Sequence, residues 1–177
     1  MRRWACLKLM VFAGISSGCS PTFDWREARP ADRMVALFPC RPQSAVRTVV
    51  LASQRVEMKM MSCEAGGAAF AVSRIDVDDP ERIEPLLQAM RSALVANLAA
   101  NTPAEADRGG PRVGVTASSG RWGGQHLDVL GRGPQGQPIH AQGEFFSHQG
   151  SVYQASVVGR KLDPDATDFF FASLQLR

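Results

Sequence analysis

Residues 55–67 read Arg55-Val56-Glu57-Met58-Lys59-Met60-Met61-Ser62-Cys63-Glu64-Ala65-Gly66-Gly67, and this stretch decides the fold. Val56, Met58 and Met60 alternate with Glu57 and Lys59, the two-residue period of a strand with one buried face. Glu64-Ala65-Gly66-Gly67 then supplies the turn chemistry of a hairpin, and Ala69 to Val77 forms the returning strand. Upstream, Val46 to Leu51 is β-branched and apolar and reads as a further strand.

Downstream the period changes. Asp79-Pro80 opens a helix, because Asp caps and Pro at the first helical position gives up no needed donor. Pro85 lies deeper than a helix interior tolerates, which moves the start of the regular helix to that point. Ile83, Leu87, Met90, Leu94 and Leu98 repeat at spacings of three and four, a core-facing stripe. Asn101 to Arg112, with Gly109-Gly110-Pro111, reads as an exposed loop. Val113 to Ala117, Gln125 to Gly131, Ile139 to Ser147 and Ser151 to Gly159 are strands, with turns at Pro134-Gln135-Gly136-Gln137 and Gln149-Gly150. Asp163-Pro164-Asp165 starts a short helix in which Asp165 and Asp168 have capping-pair spacing and Phe169, Phe170, Phe171 and Leu174 form the apolar side. Strands, long helix, strands, short helix predict an α+β domain. Its antiparallel sheet has about six to seven strands, flanked by one long helix and one short C-terminal helix.

The first residues have a different character. Arg2, Arg3 and Lys8 are basic, Leu9 to Ile15 is apolar apart from Gly14, and Ser17-Gly18 precede Cys19. A basic start, a short apolar run and small residues describe a secretory signal. With Cys next, the segment resembles a bacterial lipoprotein signal, although Ser16 stands where Leu is usual three positions before the Cys. The resemblance implies cleavage after residue 18 and lipidation of Cys19, and Ser20 in the next position implies the outer membrane. The apolar run is too short for a bilayer span, which needs about 20 residues. The expected organisation is a signal peptide at 1–18, a tether at 19–33 containing Pro21 and Pro30, and one domain at 34–177. Trp25 is unusual for a free tether and is expected to fold back onto the domain.

Removing residues 1–18 alters the charge. The chain has 20 Lys+Arg against 17 Asp+Glu, and Arg2, Arg3 and Lys8 account for the whole excess. The mature chain is formally neutral and has no basic run, so no nucleic-acid partner is expected. With Cys6 in the signal and Cys19 assigned to lipid, Cys40 and Cys63 remain. A single pair in an exported chain reads as a disulfide, worth about 3.5 kcal/mol for a loop of about 24 residues. The rival, a metal site joining both thiolates to two of His126, His140 and His148, lacks C-x-x-C and H-x₃₋₅-H spacing.

Chemistry is sparse. Gly131-Arg132-Gly133-Pro134-Gln135-Gly136 matches G-x-G-x-x-G by letter, but a strand follows it where a dinucleotide site needs a helix, so it reads as a hairpin turn. Ser118-Ser119-Gly120 lacks the G-x-S-x-G setting of an activated serine. His126 and Asp128 share a strand face, from which a nucleophile–base–carboxylate relay with Ser118 can in principle be assembled, but a surface strand bearing two polar residues is the more ordinary explanation. His140 and Glu144 share a face about 13 Å apart along their strand. Asp76, Asp78 and Asp79 lack the remaining ligands of a calcium loop, and Met58 and Met60 share the face of Val56 as packing residues. No catalytic residue, cofactor site or metal site is expected.

The strands ahead of the Pro80–Ala100 helix, and the ending Tyr153 to Gly159, Asp163 to Phe171, Ser173-Leu174, resemble the PsbP-like group of small exported α+β domains. The resemblance implies an antiparallel sheet flanked by helices that serves as a binding or accessory module. The expectation is a non-enzymatic module of the bacterial cell envelope, lipid-anchored to the outer membrane and facing the periplasm. Its partner would be an envelope protein or a small ligand. The alternatives are an envelope hydrolase using Ser118, His126 and Asp128, and a subunit of a larger envelope or secretion assembly.

Overall fold

A computed structural model describes residues 22–99, 114–133 and 135–177. The signal, Cys19 and the 101–112 loop lie outside the described residues. Strands β1 (Arg26–Ala31), β2 (Met34–Phe38), β3 (Gln43–Leu51), β4 (Gln54–Ala65) and β5 (Ala68–Asp76) precede helix α1 (Ile83–Ala99). Strands β6 (Gly114–Ser119), β7 (Gln125–Arg132), β8 (Pro138–His148) and β9 (Ser151–Gly159), helix α2 (Pro164–Ser173) and the short β10 (Gln175–Leu176) follow.

The expected hairpin forms as read: Ala65 faces Ala68 across the Gly66-Gly67 turn, and both glycines have positive φ, 59° and 77°. Antiparallel pairing extends it into a seven-stranded sheet of order β3-β4-β5-β9-β8-β7-β6. The β5–β9 pairing in its middle joins the strands before α1 to those after it. The G-x-G-x-x-G run is the β7–β8 connection, closed by Gly133 N–H donating to the Gln137 carbonyl at 2.8 Å.

Each face of this sheet carries its own core, as the two-residue period of β8 requires. Phe145 packs with Val129, Ala141, Val152 and the α1 residues Leu87, Met90, Leu94 and Leu98. Phe146, next in sequence, packs on the other side with Tyr153, Phe70, Phe170 and Leu174. Burying each such side chain contributes about 1.5–3 kcal/mol. α1 lies close to β7, since a Cβ on Gly131 would meet Leu98 Cβ at 2.7 Å.

Three expectations need correction. The anticipated sheet is accompanied by a second one, β1-β2-β10, which covers the Phe146 face together with α2. Part of the tether at 19–33 is therefore strand: β1 pairs with β2 alone, an edge position where Pro30 is tolerated at a register shift between Ala28 and Ala31. Phe23 and Trp25 pack against this second core. Finally, α2 is capped by Asp163, whose carboxylate accepts from Ala166 N–H at 2.9 Å, and not by the Asp165–Asp168 pair. At α1, Asp79 caps a short 3₁₀ turn (Pro80–Arg82), and the regular helix starts at Ile83. Pro85 thus sits in the first turn, where its missing N–H costs nothing.

Cys40 and Cys63 form a disulfide with Cα atoms 6.0 Å apart, which ties the end of β2 to β4 and so links the two sheets. Both thiols being committed to this bond, the rival metal reading of them falls.

Candidate functional site

Polar side chains gather where β6, β7 and β8 meet the C-terminal end of α2. The register sets Ser118 opposite His126 and His126 opposite Glu144, so three strands present one row of serine, imidazole and carboxylate. One row along, Asp128 faces Gln142. These residues alternate with Leu127, Val129, Ala141 and Phe145, which point to the α1 core. Two strands with one apolar and one polar face thus build a polar strip.

Asp128 is fully engaged. Its Oδ1 lies 2.9 Å from His140 Nε2, and its Oδ2 accepts from Gln142 Nε2 at 2.8 Å. The carboxylate directly across from His126 is instead Glu144, with Oε1 3.9 Å from His126 Nδ1. That separation exceeds a hydrogen bond. Glu144 is 7% exposed, and its Oε2 is buried without a hydrogen-bond partner.

Burial acts on both groups. It raises the pKa of Glu144 above the ordinary carboxylate value, partly offset by the Arg121 guanidinium and a hydrogen bond from the Arg121 backbone. It lowers the pKa of His126, partly offset by Asp128 and Asp168. Each shift favours the uncharged form, so the 3.9 Å approach brings together two groups driven towards neutrality. Phe171 contributes to the desolvation, with its ring edge-on to His126 at 5.6 Å between centroids.

Arg121 holds the site to α2. Its Nη1 donates to the carbonyls of Phe171 and Ala172, at 2.8 and 3.1 Å, a cation at the carbonyl end of a helix. The guanidinium stands 4.8 Å from the Trp122 ring, which in turn packs on Phe146. Trp122 has φ 52°, an uncommon conformation for a bulky residue.

The other sequence candidates lie elsewhere. Asp76 joins Arg74, Lys59 and Ser151 at the far end of β5. Burial alone would raise its pKa, but the hydrogen bonds from Arg74, Lys59 and Ser151 outweigh that and hold it low. Asp79 is a cap, and Met58 packs against the α1 core. Among the described residues, no group of three or more His, Cys, Asp or Glu side chains is arranged to hold a metal ion. Sequence reasoning missed Glu144 as the partner of His126. Its only sequence signal was a lone acid between Gly143 and Phe145 on a strand with buried residues to both sides.

No protein-family model matches the chain, and a search of curated proteins finds no match for it.

Proposed function

We propose that the protein is a non-enzymatic binding module of the bacterial envelope, lipid-anchored through Cys19 and facing the periplasm from the outer membrane. The observation that carries the binding reading is the unpartnered, buried Oε2 of Glu144. A buried acceptor left unmade costs about 1–3 kcal/mol, and a ligand bringing an N–H or O–H donor would recover it. His126 stands across the strands from this carboxyl group, its Nδ1 3.9 Å from the other oxygen, Oε1. Export is supported by the Cys40–Cys63 bond, which leaves Cys19 as the remaining cysteine after the signal. The resemblance of the element order in the sequence to the PsbP-like group implies an accessory role. Cys19→Ala is expected to move the protein from the membrane to the soluble periplasmic fraction, and unchanged membrane association would defeat the anchor.

A second reading has its own observation, the Ser118–His126–Glu144 row. A serine beside a neutral imidazole that itself faces a carboxyl group has the order of an acyl-transfer relay. Against it, the 3.9 Å gap leaves the imidazole without the orienting hydrogen bond such chemistry needs. A fluorophosphonate probe decides: the binding-module reading expects no labelling, whereas labelling abolished by Ser118→Ala would establish the hydrolase.

A further inference from the structure

We infer that the aromatic surface formed by Phe23, Trp25 and Phe169 docks onto the lipid headgroups of the membrane that carries the anchor. This inference rests on the lipid-anchored reading above. The three rings are contiguous. Phe23 and Trp25 have centroids 6.1 Å apart, and Trp25 meets Phe169 edge-on at 4.6 Å. Phe169 is 47% exposed although its neighbours Phe170 and Phe171 are buried. The rings line a groove of about 470 Å³ at the start of α2, together with Asp163, Asp165 and Ala166.

The length of chain ahead of this surface identifies its occupant. Thr22 is three residues from Cys19, and three residues span at most about 11 Å. Beyond Thr22 there is no slack. Asp24 N–H donates to the Pro39 carbonyl at 2.8 Å, and the Phe23 ring covers the Gly66 turn so closely that a Cβ there would lie 2.7 Å from it. A lipid on Cys19 therefore holds Thr22 within about 11 Å of the anchor, which keeps the adjoining Phe23 and Trp25 near the interface where Trp is enriched.

The charges fit the same occupant. Exposed Arg160 and Lys161 follow Gly159, which pairs with Ala68 beside the turn that Phe23 covers. Long basic side chains there reach lipid phosphates while their stems lie along apolar surface. Of the nearby acids, Asp24 is paired with Arg26, Asp163 is occupied in capping α2, and Asp165 lies in the first turn of α2, where the helix N-terminus favours its charge. Aromatic rings beside basic residues make an interfacial surface.

The test uses the full chain, processed in cells and reconstituted into phosphatidylethanolamine–phosphatidylglycerol vesicles brominated near the headgroup end of the acyl chains. In Trp122→Phe, Trp25 is the single tryptophan after the signal, because Trp4 lies within it. Its emission is expected to fall to about half or less in brominated vesicles, as for an interfacial ring. In Trp25→Phe, Trp122, placed at the other end of α2, is expected to stay unquenched. Adding Phe169→Ser to Trp122→Phe is expected to restore Trp25 emission, with the far-ultraviolet spectrum unchanged because Phe169 is half exposed. The mass of the same sample separates the two readings. Unmodified Cys19 overturns anchor and docking together, whereas diacylated Cys19 with unquenched Trp25 overturns docking alone. Blue-shifted but unquenched Trp25 means that a second copy or another protein covers the surface, which also overturns it. Equal quenching of Trp25 and Trp122 overturns the proposed orientation.

Discussion

At the scale of single residues, Glu144 sets the character of the polar strip, and its titration has a definite sign. Its folded pKa is raised, so the fold is fully supported below the unfolded carboxylate value and loses stability as pH climbs from there through the folded value. Glu144→Gln keeps the shape and removes that loss. The variant is expected to melt within a degree or so of the parent near pH 4 and to become more stable by about 1 kcal/mol above neutrality. Thermal unfolding followed across pH checks this, and an advantage that shrinks with rising pH would contradict the assignment. His126 has the opposite dependence. Its folded pKa is lowered, so its contribution holds at high pH and is lost as pH falls through the unfolded imidazole value. The sequence placed His126 and Asp128 on one face, which the structure bears out. It offered Asp128 as the carboxylate for His126, whereas Glu144 stands across from it, because cross-strand partners depend on register and register is set by the whole sheet.

At the scale of elements, legibility followed periodicity. β4 alternates and its turn carries two glycines, so the first hairpin was readable residue by residue. α1 was readable because its stripe from Leu87 to Leu98 has a helical period and faces a single core. β2 was not. Met34, Val35, Ala36 and Phe38 are all buried, a short run with no alternation, held between β1 and β10. β1 was masked by its composition, since an edge strand tolerates Pro30 and exposes Arg26, Glu27 and Arg29 as a linker would. Trp25 was the one residue there that signalled packing. The C-terminal segment pairs with β2 through Gln175 and Leu176, a contact between residues too far apart in sequence for any local pattern to announce.

For the molecule as a whole, three layers depend on one covalent link. α1 covers one face of the large sheet, and the small sheet with α2 covers the other. The Cys40–Cys63 bond fastens the small sheet to the large one. Replacing both cysteines by serine is expected to lower unfolding free energy by about 3.5 kcal/mol, the cost of releasing a loop of this length in the unfolded chain. Denaturant unfolding with and without reductant measures it. A loss that reductant reproduces in the parent and does not add to in the variant would assign the whole effect to this bond.

The position of β9 has a consequence for the order in which the molecule comes into being. It is the last long strand in sequence, yet it lies in the middle of the large sheet, between β5 and β8. A chain threaded through a membrane from its N-terminus delivers β3, β4 and β5 early, and β5 then waits with one edge open until nearly the whole polypeptide has crossed. The large sheet cannot be completed until the C-terminal quarter that contains β9 has arrived. Such an open edge invites pairing with other chains. The late-arriving central strand thus makes arrival of the C-terminal segment the event that closes the sheet, and on the export proposed above that event is the completion of transport.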